Sequence, residues 1–228
     1  MRLAPLAFAA LAALPAAADP VVIELYTSQG CSSCPPADEM LGQLAESDEV
    51  IALSFHVDYW DWIGWKDTFA DPAHTARQRA YAAAEGANTV YTPQFIVGGT
   101  DGIAGADGMT LAGTIRAHEG ATGDVLRMAS SGDGRKVMAA ETALTGPARL
   151  VLLTVLPEAE VRILHGENAG KDVTYHSIVR AIDDLGTWDG AETSVPIPDA
   201  PAGMRQVVVA QALDGAYPGA IIGAVRAD

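Results

Sequence analysis

The stretch TSQGCSSCPPADEMLGQL, residues 27–44, contains both cysteines of the chain, Cys31 and Cys34. It follows the apolar, β-branched run VVIELY of residues 21–26, which predicts a buried strand. After the cysteines, apolar residues recur at the spacing of an amphipathic helix, and the run VIALSFHVDYW of residues 50–60 predicts a second buried strand. Strand, helix and strand in this order form a βαβ unit, with the cysteines at the carboxyl end of the first strand, where open α/β sheets form their sites.

Residues 1–18 have the pattern of a secretory signal peptide. Arg2 precedes an apolar run over residues 3–14, and small residues lead up to Asp19. We therefore expect cleavage near Ala18 and Asp19, and a mature protein that is periplasmic or secreted. No later segment reaches the roughly 18 uninterrupted apolar residues of a transmembrane helix, so we expect no stable membrane insertion.

The composition argues against several classes of partner. A formal charge of −15 at pH 7 repels nucleic acid and anionic lipid, so we predict no nucleic-acid partner. The acidic residues are scattered along the chain, which favours a solubilising charge over a dedicated site for cations. With 49 % hydrophobic residues, the chain is not a candidate for intrinsic disorder.

The second half of the chain has a different pattern from the first. After about residue 123, short strand patterns alternate with turn signals, about eight strands in roughly 100 residues. We therefore predict an α/β domain over residues 19–123, followed by an antiparallel β-sandwich-like domain over residues 124–228.

The spacing of Cys31 and Cys34 favours a redox switch or a metal site over a structural role. A disulfide that closes so short a loop removes little entropy from the unfolded chain and is a poor stabiliser. A cysteine at the amino terminus of a helix is favoured as a thiolate by free N–H groups and the helix dipole. We predict that Cys31, with its sulfur facing solvent, attacks a substrate disulfide and that Cys34 resolves the mixed disulfide.

Two further features point to a site for an extended partner. Pro93 begins a strand pattern, and a cis Thr92–Pro93 bond would leave the Thr92 backbone free to pair with a peptide; an ordinary trans proline is the alternative. Trp60 and Trp62 lie in the aromatic stretch DYWDWIGW of residues 58–65 and predict an apolar platform for that partner. Packing of these tryptophans inside the protein is the alternative.

CSSC at a strand-to-helix turn, with Thr-Pro before a later strand, resembles the thioredoxin superfamily. The strings ELYTSQGCSSCPPAD, HVDYWDWIGWKD and YTPQ resemble a bacterial exported thioredoxin-like family catalogued as domain of unknown function 1223, and GENAGKDVTYHSIV and LGTWDG extend the likeness into the second half. The resemblance implies a thioredoxin-like fold for the first domain, with the cysteine and proline sites. It also implies a buried acid on the strand before the motif that assists proton transfer. Glu24 is the candidate for this proton relay, and a partnered or edge-exposed strand acid is the alternative.

These observations predict an exported thiol-disulfide oxidoreductase that acts on protein thiols and disulfides and needs no cofactor. It would require a redox partner, and the direction of electron flow stays open because Ser32-Ser33 between the cysteines tunes the potential in an unknown sense. One alternative is a periplasmic Cu(I)-binding protein that uses Cys31, Cys34 and His56, the histidine at the end of the second strand. The other is a non-catalytic binding module whose cysteines form an inert bridge.

Overall fold

The structure is a computed structural model that describes residues 20–131 and 134–227. The predicted signal peptide, residues 1–18, lies outside the described residues. Within the described ranges, no helix combines the length and the apolar character needed to cross a membrane.

The first half of the chain alternates strands and helices, as the sequence predicts. The elements are β1 (Val21–Thr27), α1 (Pro35–Ala45), β2 (Val50–His56), a 3₁₀ turn (Asp61–Ile63), α2 (Pro72–Ala84), β3 (Gln94–Val97), β4 (Asp101–Ala104) and α3 (Gly108–His118). β1 and β2 are parallel, β3 is antiparallel to β1, and β4 is antiparallel to β3, which gives the lateral order β2-β1-β3-β4.

β1 is buried along its whole length because it lies between two layers. On one face, Ile23 and Leu25 belong to the apolar cluster that includes residues of α1. On the other face, Val22 and Tyr26 belong to a cluster with Tyr81 of α2. Burial on both faces explains why the sequence of this strand is nearly continuously apolar rather than alternating.

The second half of the chain consists of strands. The strands are β5 (Leu126–Ser131), β6 (Gly134–Ala139), β7 (Ala148–Arg162), β8 (Asp172–Trp188), β9 (Thr193–Ile197), β10 (Arg205–Asp214) and β11 (Tyr217–Arg226). Four of them, β7, β8, β10 and β11, join the sheet of the first half, which becomes eight-stranded with the order β11-β10-β7-β8-β2-β1-β3-β4. The other three, β5, β6 and β9, form a separate sheet.

The structure corrects part of the predicted architecture. The small sheet does pack on the large one through a shared core that includes Val137, Leu150 and Trp188, which is a sandwich arrangement. The large sheet, however, continues across the boundary predicted near residue 123, because β8 lies beside β2, where Ser54 pairs with Ile178. The molecule is thus a mixed α/β fold with one large, mostly antiparallel sheet and a second sheet. Strand patterns specify which face of a strand is buried but not its lateral neighbours, so the sequence could not reveal this junction.

Candidate functional site

Cys31 and Cys34 lie in the turn between β1 and α1 and are joined by a disulfide with a Cα–Cα distance of 5.4 Å. Cys34 is the N-cap residue of α1, and its carbonyl oxygen accepts hydrogen bonds from the amides of Ala37 and Asp38 at 2.8 and 3.1 Å. Pro35 occupies the first helical position, where the missing N–H has no acceptor within the helix in any case. The predicted strand–cysteines–helix arrangement is confirmed.

Both cysteines are buried, with Cys31 1 % and Cys34 0 % exposed. This corrects the expectation that the sulfur of Cys31 faces solvent. Two parts of the chain contact the turn that carries the cysteines. One is the aromatic segment of residues 60–65, and the other is the tip of the β7–β8 hairpin, residues 163–171.

The aromatic segment connects the cysteine turn to Thr92. A Cβ atom at Gly30, the residue before Cys31, would lie 3.3 Å from the Cβ atom of Trp60 and 3.3 Å from Cδ1 of Ile63. The indole N–H of Trp60 donates a hydrogen bond of 2.7 Å to the Thr92 hydroxyl. The structure therefore brings Trp60 and Thr92 together beside the cysteine turn, whereas Trp62 is 81 % exposed.

The Thr92–Pro93 peptide bond is cis, as the sequence analysis anticipated, and β3 begins at the next residue. Pro93 is buried and Thr92 is partly exposed. The carbonyl oxygen of Pro93 accepts a hydrogen bond of 3.0 Å from the amide of Gly105.

The hairpin tip contributes Asn168, a residue to which the sequence analysis assigned no role at the site. Its side-chain amide donates hydrogen bonds to the carbonyl oxygens of Gln29 at 2.9 Å and Cys31 at 2.8 Å. The Lys171 ammonium donates a bond of 2.7 Å to Oδ1 of Asn168. Asn168 lies 137 residues beyond Cys31 in the chain, and no local pattern links the two. The string GENAGKD was the only signal, and it resembles the family without indicating a contact.

Asp38 is a buried acid one helical turn after Cys34. The spacing of four residues places both on one face of α1. Burial raises the pKa of Asp38 to about 7, although the nearby His56 opposes the shift. The Thr27 hydroxyl also opposes the shift, although neither carboxylate oxygen makes a short hydrogen bond among the described residues. Sequence reasoning missed this side chain because an acid in the first turn of a helix is normally an exposed group that interacts with the helix dipole.

His56 at the end of β2 is buried and paired with Asp67. The distance from His56 Nδ1 to Asp67 Oδ2 is 2.7 Å. Asp67 also accepts hydrogen bonds from the amides of Gln29 and Phe69. Burial alone would raise the pKa of Asp67, but His56 and these two N–H groups together lower it below its ordinary value. Through Asp67, which accepts a hydrogen bond from the Gln29 amide, the loop that follows the aromatic segment thus contacts the cysteine turn.

The Cu(I) alternative, with Cys31, Cys34 and His56 as ligands, stays a prediction. Across residues 20–131 and 134–227, no group of three or more His, Cys, Asp or Glu side chains is arranged to hold a metal ion. Nδ1 of His56 lies 2.7 Å from Oδ2 of Asp67, and Nε2 of His56 is buried without a hydrogen-bond partner among the described residues. The sulfurs of Cys31 and Cys34 are joined in a disulfide, so ligation of Cu(I) by these residues would require the reduced protein.

Glu24 has the surroundings of a structural ion pair. Arg77 of α2 donates two hydrogen bonds to its carboxylate at 2.6 and 2.9 Å. The hydroxyl groups of Tyr26 and Tyr81 donate two more, at 2.8 and 3.0 Å. Since side chains alternate along β1, Glu24 faces α2, on the side of the sheet opposite α1 and Cys34. The structure therefore supports the partnered strand acid and not the predicted proton relay.

The sequence of this chain matches one family of known proteins. The sequence model of a family described as "protein of unknown function (DUF1223)" matches residues 22–211, a range that contains all the site residues above. The chain belongs to the DUF1223 family. The resemblance found in the sequence strings is thereby confirmed at the level of the family. No curated protein matches the chain.

Two solved structures resemble this DUF1223 protein. A crystal structure of an Agrobacterium tumefaciens protein is 34 % identical, with a TM-score of 0.78 over 92 % of this chain and 94 % of that chain. HBP35 of Porphyromonas gingivalis is 14 % identical, with a TM-score of 0.62 over 92 % of this chain and 75 % of that chain. The second likeness shows a shared fold alone.

Proposed function

We propose that this DUF1223 protein is an exported, thioredoxin-like thiol-disulfide oxidoreductase that acts on protein thiols and disulfides. The observation that carries the proposal is the disulfide between Cys31 and Cys34 at the start of α1, with the buried acid Asp38 one turn behind it. A bridge across so few residues contributes little to stability, and a helix amino terminus favours thiolate, so the pair is better suited to exchange than to bracing the fold.

The surrounding fold supports a thioredoxin-like assignment for the first half. Its sheet order is β2-β1-β3-β4, with α1 between β1 and β2, α2 between β2 and β3, and a cis proline before β3. Export is inferred from the signal-peptide pattern of residues 1–18 alone.

The exchange reaction conserves atoms and electrons without a cofactor. A partner thiolate attacks Cys31, the bond between Cys31 and Cys34 breaks, and Cys34 leaves as a thiolate. With a pKa of about 7, Asp38 still carries a proton on a large fraction of molecules at neutral pH and can supply it to Cys34. A second partner thiolate then attacks the mixed disulfide, which releases the partner as a disulfide and Cys31 as a thiolate. In the reverse direction Cys31 attacks a partner disulfide and Cys34 resolves the intermediate.

We further propose that Thr92, Pro93, Trp60 and Trp62 bind the partner. The indole N–H of Trp60 holds the hydroxyl of Thr92 beside the cysteine turn, which would orient the backbone at Pro93 for an extended peptide. The exposed ring of Trp62 offers apolar contact area next to that path. The partner class is a protein segment with a thiol or disulfide, and a separate redox partner would restore the starting state.

Trapping of mixed disulfides tests this function. Cys34→Ser removes the resolving thiol, so an exported Cys34→Ser protein should retain partner proteins bound to Cys31 through disulfides that disappear on reduction. The matched control, Cys31→Ser, lacks the attacking sulfur and should retain far fewer. Equal recovery from both variants, detected on non-reducing gels and by mass spectrometry, would argue against exchange.

The burial of the cysteines favours a second candidate, a binding module with an inert bridge. A disulfide that is 1 % exposed or less is protected from thiols in solution. Equilibration with thiol-disulfide buffers separates the two candidates. A redox-active pair should have a potential between about −120 and −270 mV, whereas an inert bridge should stay oxidised below about −300 mV.

A further inference from the structure

We propose that the tip of the β7–β8 hairpin, residues 163–171, is a gate over Cys31, and that Asn168 is the positioning residue that holds the gate closed. The inference rests on the proposed function, because a buried disulfide must become accessible before a partner thiol can attack it. It assigns the all-β half of the chain a role in controlling that access.

The closing contact is made by one side chain. The amide nitrogen of Asn168 donates to the carbonyl oxygens of both Gln29 and Cys31, so it spans the backbone on the two sides of Gly30. Its oxygen is held by the ammonium of Lys171. Asn168 is therefore oriented at both ends of its amide group, and its donors point at the cysteine turn.

The gate also meets the aromatic segment. A Cβ atom at Gly166 would lie 3.2 Å from the Cβ atom of Trp65, and the rings of His165 and Trp65 are 6.3 Å apart. Trp65 in turn donates a hydrogen bond of 2.8 Å to the side chain of Gln29. The hairpin tip and the aromatic segment, which both contact the cysteine turn, thus also contact each other. Movement of the hairpin tip would break this contact and expose the cysteine turn.

Most of the tip is exposed to solvent. Ile163 and Asn168 are its two buried residues, and the others between 163 and 171 are exposed. The backbone hydrogen bonds from Ile163 to Lys171 and from Gly170 to Ile163 lie within the tip itself. Because Asn168 makes the side-chain hydrogen bonds from the tip to the cysteine turn and most of the tip is exposed, the tip can open locally while β7 and β8 stay paired.

The rate of disulfide reduction by dithiothreitol, followed by thiol alkylation on the folded protein, tests the gate. We expect Asn168→Ala to raise the rate constant by on the order of tenfold, because two hydrogen bonds that close the gate are lost. Asn168→Asp keeps the shape of the side chain but turns the donor into an acceptor that faces two carbonyl oxygens, so it should accelerate reduction at least as much. Asn88→Ala, at an exposed asparagine outside the site, should leave the rate unchanged.

Low urea concentrations separate local opening from global unfolding. Reduction through a local opening depends little on urea, whereas reduction through the unfolded state rises steeply with it. A rate in Asn168→Asp equal to that of the unmodified protein, or an acceleration that grows with urea as global unfolding does, would overturn the gate.

If Asn168→Ala does not fold, Lys171→Met gives the same test in a milder form. This variant leaves both donated hydrogen bonds of Asn168 in place but frees its oxygen, so a smaller acceleration is expected and no acceleration would overturn the proposal. Dithiothreitol reports on the gate without a protein substrate. Faster reduction in the Asn168 variants together with no trapped partners in Cys34→Ser would therefore retain the gate and reject the oxidoreductase.

Discussion

Asp38→Asn should make the protein more stable at pH 8 while leaving its stability near pH 4 almost unchanged. The pKa of Asp38 is raised from 3.8 to about 7, mainly by burial. Folding therefore favours the protonated acid, and the stability this provides is complete below pH 3.8 and is lost as the pH rises toward 7. A shift of this size corresponds to roughly 4 kcal/mol between the two ends of the range. A neutral amide does not ionise, so the variant would avoid this loss.

The assay is urea unfolding of the disulfide-bonded protein at several pH values between 4 and 8. At pH 4 the amide replaces a neutral carboxylic acid of nearly the same shape, so the two unfolding free energies should be similar. At pH 8 the variant should be the more stable by up to about 4 kcal/mol, as an upper bound set by the pKa shift. Asp48→Asn, at an exposed acid, serves as the control, and its unfolding free energy should change with pH as that of the unmodified protein does. A difference that does not grow with pH, or a variant that is less stable at pH 8, would refute the reasoning.

Two further predictions concern other residues of the site. Glu24→Gln should lower the unfolding free energy at pH 7 by about 3–5 kcal/mol, because the nearly buried Arg77 loses its counter-charge; a loss below about 1 kcal/mol in urea unfolding would contradict a buried ion pair. Trp62→Ala removes an exposed ring and should change that free energy by less than about 0.5 kcal/mol. In a Cys34→Ser background, Trp62→Ala should reduce the yield of trapped partners severalfold. An undiminished yield would show that Trp62 does not bind the partner.

The local parts of the fold and site could be predicted from the sequence. The apolar run of β1, the periodic pattern of α1 and the apolar run of β2 are each encoded by neighbours in the chain. The position of the cysteines between β1 and α1 follows from the same patterns. The cis peptide bond before Pro93 could also be predicted, because proline is the residue at which such bonds occur.

The sequence did not specify which way the side chains of two acids, Glu24 and Asp38, face in the fold. Glu24 was expected to act near the cysteines, but the alternation of β1 directs it to Arg77 on the other side of the sheet. Asp38 was assigned no role from the sequence, but the structure buries it one helical turn after Cys34. In both cases the residue type was informative and the direction of the side chain was not, because that direction depends on which elements cover the strand and the helix.

By itself, the sequence determined the βαβ unit, the position of Cys31 and Cys34 at the start of α1 and membership in the DUF1223 family. Only the tertiary structure decided that β8 joins β2, that Asn168 bonds to the carbonyl oxygen of Cys31 and that the disulfide is buried. The physical reason is the range of the interactions. Strand and helix patterns reflect contacts within a few residues, whereas the contact from Asn168 spans 137 residues and forms only after the large sheet has brought the hairpin tip over the cysteine turn.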